Sequence, residues 1–147
     1  MPSPLRFPTG GKLKPPSTLE AVHDGTTTPQ QRLFITDPKS SIRYLIDTGA
    51  EISVLPKAFA GKHQNLRPTE TLLFAANTTQ IQTFGEKLML LDLHLRRPYK
   101  WVFVIADVAK PIIGADFLKY HHLLPDLRNR RLIDATTRLS TPGRLLH

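Results

Sequence analysis

The sequence predicts a small, mostly-β domain with one short helix near its C-terminal end. Short apolar runs typical of strands recur along the chain, for example at residues 44–46 and 101–105. Turn-forming residues such as Asp37-Pro38 separate these runs at close intervals. Helical spacing is evident only from Ala115 onward, where the apolar positions recur every three or four residues. We therefore expect a sheet-based fold in which one helix comes late.

Length and composition suggest one domain between two tails. The chain has 147 residues, which suits a single small domain. Residues 1–30 are rich in Pro, Gly and Thr and lack periodicity, so we expect a disordered leader or linker there. The folded domain is predicted over residues 31–135. Residues 136–147 return to a polar composition with Pro and Gly and are predicted to be a C-terminal tail.

Several kinds of site and location are disfavoured by composition. The chain has no Cys, so disulfides and thiolate metal sites are excluded. Its six His residues lack the spacing of metal ligands, so we predict neither a metal nor a cofactor. The apolar run 101–106 is too short to cross a bilayer, and the sequence predicts no membrane association. These features are compatible with an intracellular, cytoplasmic protein.

The net charge of +8 raises the question of nucleic acid. The basic residues are scattered through expected turns, such as Arg96-Arg97 and Arg130-Arg131, and no long basic helix is evident. A solvated surface is the main interpretation of this charge, with nucleic acid bound only by weak charge attraction. The balance would also suit a piece of a polyprotein that travels with RNA.

The first half of the expected domain consists of two hairpins. The strand 32–36, the turn 37–40 and the strand that ends at Asp47 form the first. A strand follows at 52–55, and then one helical turn that Gly61 closes. The segments 71–76 and 80–84 flank a turn and form the second hairpin.

The second half is predicted to contain the central strand and the helix. Gly85 is expected to break the preceding strand, and a longer strand runs over residues 88–95. The almost wholly apolar run 101–105 is predicted to be a central strand. The helix that starts at Ala115 has its apolar face at Phe117, Leu118, His121 and Leu124. Pro125 is expected to stop it, and a last hairpin spans residues 126–134.

Chemistry concentrates in the triplet Asp47-Thr48-Gly49. It stands between two apolar runs, so the Asp47 carboxylate lies at the end of a buried strand. Such a carboxylate costs free energy unless it accepts hydrogen bonds or shares a proton. Gly49 permits a tight turn, and the Thr48 hydroxyl can tie one loop to another. An ordinary turn aspartate is the alternative interpretation.

Together with the stretch 112–118, this triplet resembles the retropepsins, the aspartic proteases of retroviruses and LTR retrotransposons. The similarity is greatest to the gypsy-type retrotransposon proteases. It runs from about Arg32 to Asp134. It rests on Leu45-Ile46-Asp47-Thr48-Gly49-Ala50, on Ala75-Ala76-Asn77, and on Ile112-Ile113-Gly114-Ala115-Asp116-Phe117-Leu118.

The resemblance implies a small, closed, β-barrel-like acid-protease fold that works as a symmetric homodimer. Two carboxylates about 3 Å apart, sharing one proton, are needed for this hydrolysis. The chain has only one Asp-Thr-Gly, so the second Asp47 must come from a second copy. The resemblance assigns Asp47, Thr48 and Gly49 to the catalytic centre, with Thr48 bonded across the two-fold axis.

Substrate-binding residues follow from the same resemblance. Gly49, Ala50 and Glu51 would bind the substrate main chain, although retroviral members more often have Asp at the Glu51 position. Ala76, Asn77 and Thr78 would form the tip of the flap, where gypsy-type relatives often have Asn-Gly. Without the resemblance, this hairpin is equally well a plain surface hairpin. The pocket residues implied by the family are Ile112 and Ile113, for which a simple core position is the alternative.

The sequence thus favours an aspartic endopeptidase that cleaves a retrotransposon polyprotein of the Gag-Pol type. Its partners would be a second copy and its own polyprotein as polypeptide substrate, in the cytoplasm or a virus-like particle. A catalytically silent or domesticated dimeric binding module is the main alternative. An RNA-associated basic domain is a weaker third one.

Overall fold

The computed structural model describes residues 32–61 and 66–146 and the backbone of residues 17–19. These residues form a mostly-β structure. The strands are β1 Ser17–Leu19, β2 Arg32–Thr36, β3 Arg43–Ile46, β4 Val54–Pro56, β5 Leu73–Ala75, β6 Gln80–Ile81, β7 Thr83–Asp92, β8 Pro98–Ala106, β9 Ile112–Ile113, β10 Leu123–Asp126, β11 Arg131–Asp134, β12 Ser140–Pro142 and β13 Arg144–Leu146. A 3-10 turn, Lys57–Phe59, and one α-helix, α1 Ala115–His121, complete the described elements. Most of the predicted leader lies outside the described residues.

The main sheet is open, which corrects the expectation of a closed barrel. Within the described residues its strand order is β13-β2-β3-β9-β4-β8-β7. Closure requires the two edge strands to pair, but here β13 pairs with β2 and β7 pairs with β8. Two smaller sheets, β1-β5-β6 and β10-β11-β12, lie beside it. The expected hairpins β2–β3, β5–β6 and β10–β11 are all present and antiparallel.

The sheet is buried on both faces near β2 and β3. Successive side chains of a strand point to opposite faces. Leu33 and Ile35 therefore enter one apolar cluster while Phe34, between them, enters another. Ile46 and Leu45 divide between the two clusters in the same way. This two-sided burial explains why these strands have continuous apolar runs rather than alternating ones.

The helix is shorter than predicted. It ends at His121, and His122 adopts the left-handed conformation with φ of 57°. The His122 backbone N–H donates to the carbonyl oxygens of Leu118 and Lys119, which closes the last turn. Leu124 and Pro125 belong to β10, where Pro125 lies opposite Leu132 of β11. Helical spacing was thus a misleading guide over these residues, because pairing with β11 imposes a strand. None of the helices among the described residues is long and apolar enough to span a membrane.

Gly85 continues a strand rather than breaking one. β7 runs from Thr83 to Asp92, and its register against β8 shifts between Thr83 and Gly85. Gly85 has φ of +128°, and a Cβ placed there would lie 2.6 Å from the Arg67 carbonyl oxygen. The glycine therefore serves a β-bulge against a crossing segment of chain.

Strand structure also extends into the segment predicted to be a tail. β12 pairs with β11, and β13 pairs with β2 so that Leu145 lies opposite Leu33. Thr141 is buried, with 1% of its surface exposed. The polar composition of residues 136–147 concealed these strands, because their pairing partners lie far away in the sequence.

Asp134 is a buried anion at the end of β11. Its carboxylate accepts bonds from Arg97 Nε and Nη2 at 3.2 and 3.0 Å and from the Tyr99 hydroxyl at 3.1 Å. The backbone N–H groups of Thr136 and Thr137 donate to its other oxygen. Burial raises the pKa of Asp134, but the bonds from Arg97, the two amides and Tyr99 outweigh it and hold the pKa below the ordinary value. The ion thus ties β8 to the C-terminal hairpin.

Asp134→Asn should lower the free energy of unfolding at pH 7 by about 2 kcal/mol, because an amide cannot accept all of these bonds. The wild-type advantage is fully present above the unfolded pKa of about 3.9 and is lost as pH falls through the lower folded pKa. Urea unfolding of both proteins between pH 3 and pH 7 measures this. Equal stabilities at pH 7 would contradict the assignment.

Candidate active site

The Asp47 backbone is fixed by β9. β3 and β9 pair in parallel, with Ile46 opposite Ile113. The Asp47 N–H donates to the Ile113 carbonyl oxygen at 3.0 Å, and the Leu45 N–H donates to Pro111 at 2.9 Å. β9 also contacts β4, where Val54 lies opposite Ile112. The loop 47–53 therefore leaves β3 and crosses the end of β9 to reach β4.

The Asp47 side chain is held by its own turn. The Gly49 N–H donates to Asp47 Oδ1 at 2.9 Å, and the Ala50 N–H donates to the Asp47 carbonyl oxygen at 3.2 Å. A side-chain bond to the backbone two residues later is the arrangement of an Asx turn. Asp47 is half-buried, and Thr48 is exposed. The turn therefore presents a carboxylate and a hydroxyl at the end of a buried strand.

The start of α1 packs directly on the same loop. The Ala115 N–H donates to the Ala50 carbonyl oxygen at 2.7 Å, and the Asp116 N–H donates to the Glu51 carbonyl oxygen at 3.3 Å. A Cβ on Gly114 would lie 2.6 Å from the Ala50 carbonyl oxygen and 3.0 Å from the Ile52 backbone. Only glycine fits this close approach of two backbones.

The sequence did not identify three residues of this region as part of the site, namely Ser53, Trp101 and Asp116. Ser53 is buried and bonds to the Asp116 carboxylate, which also accepts a bond from Trp101 Nε1. In the sequence, Asp116 stood out only as part of the stretch 112–118. Burial raises the pKa of Asp116 above its ordinary value, although the bonds from Ser53, Phe117 and Trp101 act in the opposite direction. A serine inside an otherwise apolar run was the available signal, since a buried hydroxyl needs a partner.

The hairpin predicted as a flap has a three-residue turn. The Thr78 N–H donates to the Ala75 carbonyl oxygen, and the Ala75 N–H donates to Thr79, both at 2.8 Å. Thr78 has φ of 69°, a conformation that its branched side chain disfavours. Asn77 Oδ1 accepts the Thr79 N–H at 3.0 Å, which stabilises the turn. Ala76, Asn77 and Thr78 are exposed.

The structure brings part of the predicted site together through the core. Ala50 and Ile112 share one apolar cluster with Leu73 and Ile81, which lie at the base of the hairpin. Ile113 enters the larger cluster on the other face of the sheet. Both isoleucines are almost fully buried, with 1% and 0% of their surface exposed, whereas Glu51 is exposed. Within the described residues, no group of three or more His, Asp or Glu side chains is placed to hold a metal ion.

Solved structures similar to this chain contain retroviral protease-like domains. The retroviral protease-like domain of Ddi1 from Leishmania major matches with a TM-score of 0.58 and 18% identity, over 80% of this chain and 95% of that domain. EIAV protease in complex with the inhibitor HBY-793 matches with a TM-score of 0.45 and 21% identity, over 65% of this chain and 90% of that protease. No protein-family model and no curated protein matches the sequence. The chain therefore has a retroviral protease-like fold.

Gly114→Ala should destabilise the protein by about 1–3 kcal/mol, because the added methyl group overlaps the Ala50 and Ile52 backbones. Thermal unfolding measures the loss. Gly61→Ala is a useful comparison, because there the atom nearest to the new Cβ is the flexible end of Lys87, and only the φ of +92° opposes the change. A Gly114→Ala protein as stable as wild type would show that the helix and the loop are not in such close contact.

Proposed function

We propose that this protein is an aspartic endopeptidase. The observation that carries the proposal is the Asp47-Thr48-Gly49 turn, held at the end of β3 by β9 in a retroviral protease-like fold. The turn offers a carboxylate that is oriented by a backbone amide and is not enclosed in the core. Such a group is suited to activating a water molecule.

Peptide hydrolysis by this chemistry needs two carboxylates sharing one proton. The sequence contains one Asp-Thr-Gly, so the proposed enzyme is a symmetric homodimer in which two copies of Asp47 face each other. One carboxylate takes a proton from water as the oxygen attacks the peptide carbonyl carbon. The other gives its proton to the carbonyl oxygen. The tetrahedral intermediate then collapses and the C–N bond breaks. The leaving amine takes the proton that the first carboxylate removed from water, and the second carboxylate recovers a proton from a hydroxyl of the intermediate.

The remaining predicted residues receive supporting roles in this proposal. Thr48 is exposed beside Asp47, where it can bond to the loop of the second copy. Gly49, Ala50 and Glu51 would bind the substrate main chain. The exposed hairpin tip at residues 76–78 would close over the substrate. Ile112 and Ile113 would shape the wall behind it, from positions in the core.

The proposed substrate is a retrotransposon polyprotein of the Gag-Pol type. This assignment comes from the likeness of the sequence motifs to gypsy-type proteases. The net charge of +8 suits a protein that travels with RNA, bound by weak charge attraction at most. The proposed location is the cytoplasm, inside a virus-like particle.

A dimeric binding module without catalysis is the second candidate. The observation that favours it is the burial of Ile112 and Ile113, which leaves neither side chain open to a substrate in the single chain. Both candidates predict a dimer. They differ in turnover, so a kinetic test separates them.

Asp47→Asn should abolish cleavage and leave the fold intact, because an amide cannot act as the base. A peptide-cleavage assay with and without pepstatin, together with thermal unfolding of both proteins, makes the measurement. Glu70→Gln is the control, since it also neutralises one carboxylate but at an exposed residue outside the proposed site. Undiminished turnover by Asp47→Asn would end the protease mechanism, and an inactive wild type would favour the binding module.

Activity should depend on dimer concentration. Below the dissociation constant the rate should rise with the square of protein concentration, and above it the rate should become linear. An excess of Asp47→Asn chains mixed with wild type should suppress activity, because heterodimers carry one carboxylate. Light scattering measures the assembly state. A monomer whose rate is strictly linear in concentration would refute the shared site.

A further inference from the structure

We propose that Asp116 is a positioning residue that holds the Asp47 turn in its working geometry by acting through Ser53. This inference rests on the proposed protease function and adds a residue to it. Asp116 lies 69 positions after Asp47 in the sequence, on the first turn of α1. It contacts the loop 47–53, here called the catalytic loop, through both its backbone and its side chain.

The Asp116 carboxylate accepts four hydrogen bonds. Ser53 supplies two of them, from its hydroxyl to Oδ1 at 2.7 Å and from its backbone N–H to Oδ2 at 3.1 Å. Phe117 N–H donates to Oδ1 at 2.7 Å, and Trp101 Nε1 donates to Oδ2 at 3.3 Å. Every partner is a donor, so an ionised carboxylate satisfies the set.

Ser53 connects this carboxylate to two further segments of backbone. Its hydroxyl oxygen accepts the Gly114 N–H at 2.8 Å, and its carbonyl oxygen accepts the Val104 N–H at 3.2 Å. The side chain is fully buried, so none of these bonds is shared with solvent. Ser53 is therefore a fixed point between the catalytic loop, α1 and β8.

The loop 47–53 is thus anchored at both ends. Asp47 is bound to Ile113 at the start, and Ser53 is bound to Asp116 at the finish. Between them, the Ala50 and Glu51 carbonyl oxygens accept backbone bonds from the start of α1. Loss of the Asp116 carboxylate would release Ser53 at the end of this loop. It would also release the start of α1, which supports the middle of the loop. A displacement of about 1 Å at a reacting group is enough to cost roughly 100-fold in rate.

The side chain must be a carboxylate for this role. In Asp116→Asn the amide oxygen can keep the two bonds made to Oδ1. The amide NH₂ would then face the Ser53 N–H and the Trp101 Nε1–H, which are both donors. Two donors would then face each other at a part-buried position beside Ser53, and the loop would move to separate them.

The test compares Asp116→Asn with Asp37→Asn in the full chain. Asp37 is a buried carboxylate that accepts three backbone N–H bonds, from Lys39, Ser40 and Asp92. It lies before β3, whereas Asp47 follows β3, so its loss should lower stability without moving the catalytic turn. The matched pair separates loss of stability from loss of position.

Two readouts are measured for each variant. Native-state amide exchange of Gly49 and Ala50 should accelerate about tenfold in Asp116→Asn, the factor expected for one lost charge-assisted hydrogen bond. With a cleavable peptide, kcat should fall about 100-fold while KM changes little, since the effect is on alignment. Asp37→Asn should leave both readouts at wild-type values per folded molecule.

A second pair protects the test if Asp116→Asn does not fold. Ser53→Ala removes the hydroxyl that bonds Asp116, whereas Ser53→Thr retains it and should rescue both exchange and kcat. Exchange of Gly49 at the wild-type rate in both Asp116→Asn and Ser53→Ala would overturn the positioning role. An inactive wild type with accelerated exchange in the variants would instead refute the protease function and leave the loop anchor standing.

Discussion

The insertion of β9 between β3 and β4 is the constraint on which the site depends. This strand has two residues, yet it pairs in parallel with β3 and antiparallel with β4. Its Ile113 carbonyl oxygen accepts the Asp47 N–H, and its two side chains fill the core on both faces of the sheet. Because β9 occupies the gap between β3 and β4, the chain that follows Asp47 must cross its end as a loop. The Asp47 carboxylate therefore stands on a backbone fixed by β9 and is only half-buried.

The approach of α1 to the loop is a second consequence of that insertion. α1 follows β9 after a single residue, Gly114, so the helix start is delivered onto the loop that crosses β9. Glycine is required because the Ala50 carbonyl oxygen lies where a Cβ would stand. The proximity also removes the buried Ser53 and the half-buried Asp116 from much of the solvent, and polar groups removed from water bond to each other. The close packing of α1 on the loop and the hydrogen bonds between Ser53 and Asp116 therefore both follow from the short connection between β9 and α1.

A similar arrangement of a carboxylate and several donors is found at Asp134, at the end of β11. Asp134 is a buried carboxylate surrounded by donors, much as the half-buried Asp116 is, and it joins β8 to the C-terminal hairpin. Beyond it, β13 adds to the edge of the main sheet beside β2. Among the described residues, the edge strands of that sheet, β13 and β7, do not pair with each other as they would in a closed barrel, and β7 is bridged at Glu86 to Arg67 instead. The two carboxyl groups thus connect segments that lie far apart in the sequence.

The sequence by itself determined the local features of this protein. Short apolar runs and turn residues predicted the hairpins β2–β3, β5–β6 and β10–β11, and the triplet at Asp47 marked the candidate site, because these signals lie within a few adjacent residues. Only the tertiary structure decided where α1 ends, that Gly85 forms a bulge, that residues 140–146 are strands and that the sheet stays open. Each of these depends on pairing between segments far apart in the chain. The Ser53–Asp116 bond is of the same kind, since it joins residues 63 positions apart, a contact that no local pattern encodes.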